Sequence, residues 1–222
     1  YAYYSEKKYD SAIDQFNKII NQSNSLSQNA FYHLGDCYLK EEKKIEALSA
    51  FKKASEMNFN KKIKEDALLQ YAKLGFEIGN PFESYTNVLI RFLNNYPKNK
   101  YSEKIKSLLV LSYTNGGDYD SAIKILKSAN PFKDEVTLQK VLYLKALELY
   151  RNGLYIDAQP FLSNSVKLDK NLIVTARSLL LNGQSQFESN SYGAAKNSYD
   201  KYFQYIRKNN LNLDINFWYE IG

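Results

Sequence analysis

Six positions along the chain, Ala12, Ala47, Tyr85, Ala122, Ala158 and Ala195, recur at intervals of 35, 38, 37, 36 and 37 residues. Three residues before each stands Tyr9, Lys44, Phe82, Tyr119, Tyr155 or Tyr192, and four residues after stands Phe16, Phe51, Leu89, Leu126, Leu162 or Tyr199. Apolar groups spaced three and four apart share one face of a helix, so each recurrence predicts an amphipathic helix. A period in the middle thirties leaves room for one helical hairpin per repeat, and hairpins of that size bury their apolar faces only by stacking. The predicted fold is all-α: a solenoid of stacked antiparallel helix hairpins.

The hairpins are placed by caps and breakers. Ser27 is the predicted N-cap of a helix reaching Lys40, paired with residues 43–57. Residues 63–78 pair with 82–95 across Asn80 and Pro81, and 102–114 pair with 119–129 across Asn115, Gly116 and Gly117. Residues 134–152 pair with 155–168, with Pro160 falling near the start of the second helix. Residues 172–189 pair with 192–207, and a last helix begins near Leu213. The resulting repeats are 1–26 (partial), 27–60, 61–100, 101–132, 133–170, 171–210 and 211–222 (partial). Because the chain starts at Tyr1 inside one repeat and stops at Gly222 inside another, it reads as a segment of a longer polypeptide. The cut repeats at its ends are candidate self-association surfaces.

These columns resemble the tetratricopeptide repeat. Phe31, Leu34, Gly35, Tyr38, Ala47, Phe51 and Ala54 fall at that family's spacings, and Trp218, Ile221 and Gly222 match the opening of a further repeat. Tyr85 stands where the family has Ala, and Lys73 and Val110 stand where it has Gly, so wider spacing or a different angle is expected in the third and fourth repeats. The Asn94, Asn95, Tyr96, Pro97 ending and the long period are similar to bacterial cell-envelope members, which implies a periplasmic or envelope-associated location. The resemblance implies a right-handed superhelix and a non-catalytic scaffold for protein or peptide partners. The groove residues it implies are Tyr32, Asp36, Gln70, Lys104, Ser107, Tyr143, Tyr150, Arg177 and Gln184. Tyr32 and Asp36 occupy positions where chaperone-binding members carry a basic clamp, so a clamp for an acidic C-terminus is not expected. Tyrosines with Lys or Arg among them suit an extended segment instead.

Other functions fit the composition poorly. The net charge of +6 comes from 30 Lys and Arg against 24 Asp and Glu, and no stretch concentrates the excess. The densest basic run, Lys61, Lys62 and Lys64, is followed by Glu65 and Asp66, so no nucleic-acid face is expected; an RNA-reading helical repeat is the remote alternative to a protein scaffold or structural spacer. No run of about 18 apolar residues suits a bilayer. One Cys and one His, Cys37 and His33, lie four apart on one predicted helix. A nucleophilic pair is one reading, but a buried packing thiol beside a surface imidazole fits the helix better. Two such ligands are too few for a structural zinc site, and Gly116 and Gly117 lack the Lys and Ser or Thr of a phosphate-binding loop. No catalytic residue, metal or cofactor is expected.

Overall fold

The computed structural model describes residues 1–128 and 134–212, and the helix proposed from Leu213 lies outside them, as do Trp218, Ile221 and Gly222. Among the described residues there are twelve α-helices and no strands, arranged as two compact units, Tyr1–Leu109 and Val110–Gly222. The first unit holds α1 (Ala2–Ser5), α2 (Tyr9–Asn17), α3 (Ser25–Lys40), α4 (Lys44–Glu56), α5 (Lys61–Ile78), α6 (Tyr85–Asn95) and the start of α7 (Ser102–Asn115). The second holds the end of α7, α8 (Tyr119–Lys127), α9 (Glu135–Arg151), α10 (Tyr155–Leu168), α11 (Leu172–Glu188) and α12 (Tyr192–Lys208). Successive helices pack on one another from α1 to α6 in the first unit and from α8 to α12 in the second, and first helices of neighbouring hairpins also touch, α3 with α5 and α9 with α11.

One turn design joins most hairpins. Lys7, Glu42, Gly117, Gly153 and Asn190 all have φ between 58° and 77°, and each lies two residues before the start of a second helix. The residue after each donates its N–H back to the carbonyl five before it: Lys43 to Tyr38, Asp118 to Tyr113, Leu154 to Leu149 and Ser191 to Gln186, at 2.8–2.9 Å. That closure satisfies carbonyls the helix end leaves open and turns the chain antiparallel in three residues.

Small residues set the approach of the helices. Ala12, Ala47, Ala122, Ala158 and Ala195 are all buried, as the period predicts. A Cβ on Gly35 would stand 2.6 Å from the Phe51 ring, and one on Gly183 would stand 2.6 Å from the Tyr199 ring. Ring and glycine therefore share space that no side chain at the glycine can enter.

The third hairpin departs from the expected columns. α6 begins at Tyr85, not Phe82, which is 46% exposed in the preceding turn. Val88, three residues into α6, is buried where the alanine column runs, while Tyr85 takes the helix-start position. Likewise Gly75 rather than Lys73 sits in the glycine column, following Tyr71 and Leu74 as Gly35 follows Phe31 and Leu34. The cause is length: α5 has 18 residues against 16 in α3, and the turn after Gly79 is longer. Asn80 organises that turn, its carboxamide oxygen accepting from the Phe82 N–H at 3.0 Å and the buried Tyr71 hydroxyl at 3.3 Å.

Two further boundaries move. Asn24, not Ser27, caps α3, its Oδ1 accepting from the Ser27 N–H at 2.9 Å; Ser27 is buried and donates to the Ile19 carbonyl. Asp134 caps α9 through the Thr137 N–H. Pro160 lies inside α10, past its first turn, and the helix runs through it. The carbonyl its missing N–H leaves open belongs to Ile156, an exposed residue that water reaches.

Candidate functional site

In the first unit two of the implied groove residues, Tyr32 and Asp36, adjoin a cluster of rings. On α3, the His33 ring is packed by Tyr1 at 5.3 Å, Tyr4 at 4.9 Å, Phe16 at 5.7 Å and Tyr32 at 5.6 Å between centroids. The imidazole expected at the surface is thus half-buried among aromatics. Its Nδ1 is buried and has no hydrogen-bond partner among the described residues. Burial holds its pKa below the ordinary imidazole value, with the nearby Asp36 charge opposing.

Asp36 is fixed by Tyr4, whose hydroxyl donates to Oδ2 at 2.7 Å. Tyr32, half-buried one turn earlier, has its phenol pKa raised first by burial, then by the charges of Asp66 on α5 and of Asp36. This face of α3 and α5 is therefore acidic and aromatic, with Gln70 half-buried one turn beyond Asp66. Neither Asp36 nor Asp66 makes an ion pair with a described residue. Lys104 and Ser107 are exposed on α7, and the Ser107 hydroxyl donates to its own helix at the Glu103 carbonyl. Beside them Lys73 lies 4.2 Å from the Tyr101 ring centroid, a cation over an aromatic face.

Cys37 is wholly buried, and burial followed by the Asp36 charge pushes its thiol up to about 11. A thiol held that high stays protonated at neutral pH, so it supplies no nucleophile.

In the second unit the implied residues divide. Tyr143 is only 6% exposed and packs in a core with Ala146, Ala158, Leu162 and Leu181. Its ring fills the hairpin interior instead of presenting a face. Tyr150, two turns on along α9, is half-buried with its ring 5.2 Å from Tyr155. Gln184 on α11 accepts from the Tyr199 hydroxyl at 3.0 Å and donates to Glu188 Oε1 at 3.0 Å. Burial raises the pKa of both Tyr150 and Tyr199, and the Glu188 charge adds to each. Arg177 is half-buried earlier on α11. Tyr150, Gln184, Glu188 and Tyr199 thus form one polar, aromatic cluster linking α9, α11 and α12.

Tyr4, Asp66, Glu188 and Tyr199 are missing from the implied groove, though two carry a readable signal. Asp66 lies four residues before Gln70, and Glu188 four after Gln184, so each shares a helical face with a groove position. Tyr4 and Tyr199 arrive from neighbouring helices, which spacing along one helix does not reveal.

Residues 28–61, spanning α3 and α4 with the buried Leu34, Gly35, Ala47 and Phe51, match the family model of the tetratricopeptide repeat. Residues 28–61 are a tetratricopeptide repeat. No curated protein matches it. Among solved structures, MamA from AMB-1 is 18% identical, with 80% of this chain and 90% of that one covered at a TM-score of 0.46. The C-terminal part of a TPR repeat-containing protein from Cytophaga hutchinsonii is 17% identical, covering 93% and 78% at 0.47. The apo form of the quorum sensor NprR from B. thuringiensis is 17% identical, covering 88% and 58% at 0.41. The assignment of that repeat rests on residues 28–61, not on these likenesses. Among the described residues no helix is long and apolar enough to cross a membrane.

Proposed function

We propose that this tetratricopeptide-repeat chain is a non-catalytic interaction scaffold whose first-helix faces hold extended segments of a protein partner. The observation that carries the reading is the Tyr150, Gln184, Glu188 and Tyr199 cluster. Half-buried phenols and a carboxamide are held in place by one another, with hydrogen-bonding capacity left toward solvent. Side chains fixed before binding lose little entropy on contact, which favours recognition by an exposed backbone segment. The Tyr32, Asp36 and Asp66 face of the first unit serves the same purpose with an acidic bias. The buried, protonated Cys37 speaks against the nucleophilic alternative.

The test is affinity capture from soluble and envelope fractions of the source cells, comparing the chain with Tyr150→Ala/Gln184→Ala and Tyr32→Ala/Asp36→Ala variants of unchanged helicity. Loss of one reproducible partner from either variant supports the scaffold and assigns the face. Equal capture by all three moves the contact surface elsewhere, and recovery of the chain alone favours self-association.

A further inference from the structure

A second kind of surface lies on the second unit, away from the cluster of Tyr150 and Gln184. The ends of α10 and α12 and the start of α11 enclose a notch of about 350 Å³, within the size range of sites that take one side chain or small molecule. Its apolar floor is Val166 from α10 and Leu179 from α11. At one end the Asp169 carboxylate accepts from the Tyr205 hydroxyl at 2.5 Å and from Thr175 Oγ1 at 2.9 Å, both on Oδ1. The α12 rim carries Lys201 and Lys208, two turns apart, and both are exposed.

Those two ammonium groups are the unbalanced part of the notch. Two lysines on neighbouring first helices and turns of the unit are matched, Lys170 with Glu135 and Lys145 with Asp120 and Glu148. Lys201 and Lys208 form no ion pair among the described residues. Asp169 accepts from hydroxyl donors of its own unit and makes no ion pair with either lysine.

The same notch recurs four repeats earlier, in the first unit, where Phe31 and Lys53 stand at the places of Leu179 and Lys201 in a space of about 390 Å³. There the helix adds Glu56, already paired with Lys52, where the second unit has Gln204. The notch thus occurs in both units, and a rim lined by two lysines and no carboxylate from the same helix is particular to the second.

We propose that this notch of α10, α11 and α12 binds an acidic peptide segment of a protein partner. One large apolar side chain of the segment rests on Val166 and Leu179, and its flanking carboxylates meet Lys201 and Lys208. An apolar floor of this size selects a Leu-sized group, and charges at the rim select sign and speed of encounter. The site is separate from the faces proposed above and stands or falls independently of them.

The probe is a fluorescein-labelled Asp-Glu-Leu-Glu-Asp peptide, titrated with the whole chain and followed by anisotropy, with Leu179 methyl shifts locating the contact. Saturable binding is expected, at least tenfold weaker for Lys201→Glu/Lys208→Glu, for the neutral Lys201→Gln/Lys208→Gln pair, and for a peptide with Ser in place of Leu. Binding should weaken as salt is raised. Lys196→Glu, elsewhere on α12, and Tyr150→Ala/Gln184→Ala should leave it unchanged. Both notch lysines are exposed, so helicity and melting serve as folding controls. The proposal is overturned by absence of saturation up to millimolar chain, by equal affinity of the charge variants, by equal binding of Lys-Lys-Leu-Lys-Lys, or by shifts that miss Leu179.

Discussion

The buried carboxamide of Gln28 grips the backbone of Asn60: its Oε1 accepts from the Asn60 N–H at 2.6 Å, while Nε2 reaches the carbonyls of Met57 at 2.9 Å and Ala54 at 3.1 Å. Three repeats later Gln139 does the same work, its Oε1 accepting from the N–H groups of Lys170 and Asn171 at 3.0 and 2.8 Å. Each glutamine sits on a first helix and ties down the loop that leads from its second helix into the next hairpin. Gln28→Leu keeps the volume but strands buried backbone groups, each costing about 1–3 kcal/mol. The expected result is a loss of about 3 kcal/mol in the urea transition of the first unit, with faster hydrogen exchange at Asn60. Unchanged exchange there would show that the loop holds itself.

Gly35 faces the Phe51 ring, and Gly183 faces the Tyr199 ring, with no room for a methyl group. Gly35→Ala should therefore destabilise by about 1–3 kcal/mol through overpacking, despite the better helix propensity of alanine. A Phe51→Leu change in the same chain should recover part of that loss, because the clash is with the ring. Additive losses in a double-mutant cycle of thermal melts would place the strain elsewhere.

Glu42 holds the turn between α3 and α4 at φ 58°, where Gly117 and Gly153 hold the same place in later hairpins at 77° and 75°. A side chain in the left-handed region costs about 1 kcal/mol that glycine does not incur. Glu42→Gly should raise stability by about 0.5 kcal/mol once the greater freedom of the unfolded glycine is subtracted, and Gly153→Ala should lower it. Paired denaturation curves decide the sign.

The hairpin pitch is legible in the sequence because the alanine column marks where helix axes come closest, and closeness admits few residue types. Tyr9, Lys44, Tyr119, Tyr155 and Tyr192 are all helix starts, as their spacing implies. In the third hairpin a longer α5 and a longer turn shift the register, and a near-constant period hides two length changes. The motif of Tyr71, Leu74 and Gly75 is present in the chain, offset from where the period looks for it. Partner faces are less legible. Tyr143 and Tyr150 lie seven apart on α9, yet one is core and the other half-exposed. A tyrosine suits both places, and which one it takes depends on the rings that neighbouring helices bring.

His33 makes the first unit sensitive to acid. Its folded-state pKa lies below the ordinary 6.5 because the ring is packed by Tyr1, Tyr4, Phe16 and Tyr32, with Asp36 as the facing charge that partly compensates. The unfolded chain then binds a proton more readily than the folded one. Stability is full above 6.5, falls as pH drops through 6.5, and levels off below the depressed folded value. His33→Phe removes the titrating group while keeping an aromatic ring in the cluster, so the slope of unfolding free energy between pH 7 and about pH 5 should flatten for the first unit. The second unit contains no histidine and serves as the internal reference. A wild-type slope that survives in the variant would assign the acid sensitivity to the carboxylates, with Asp36 the first to test.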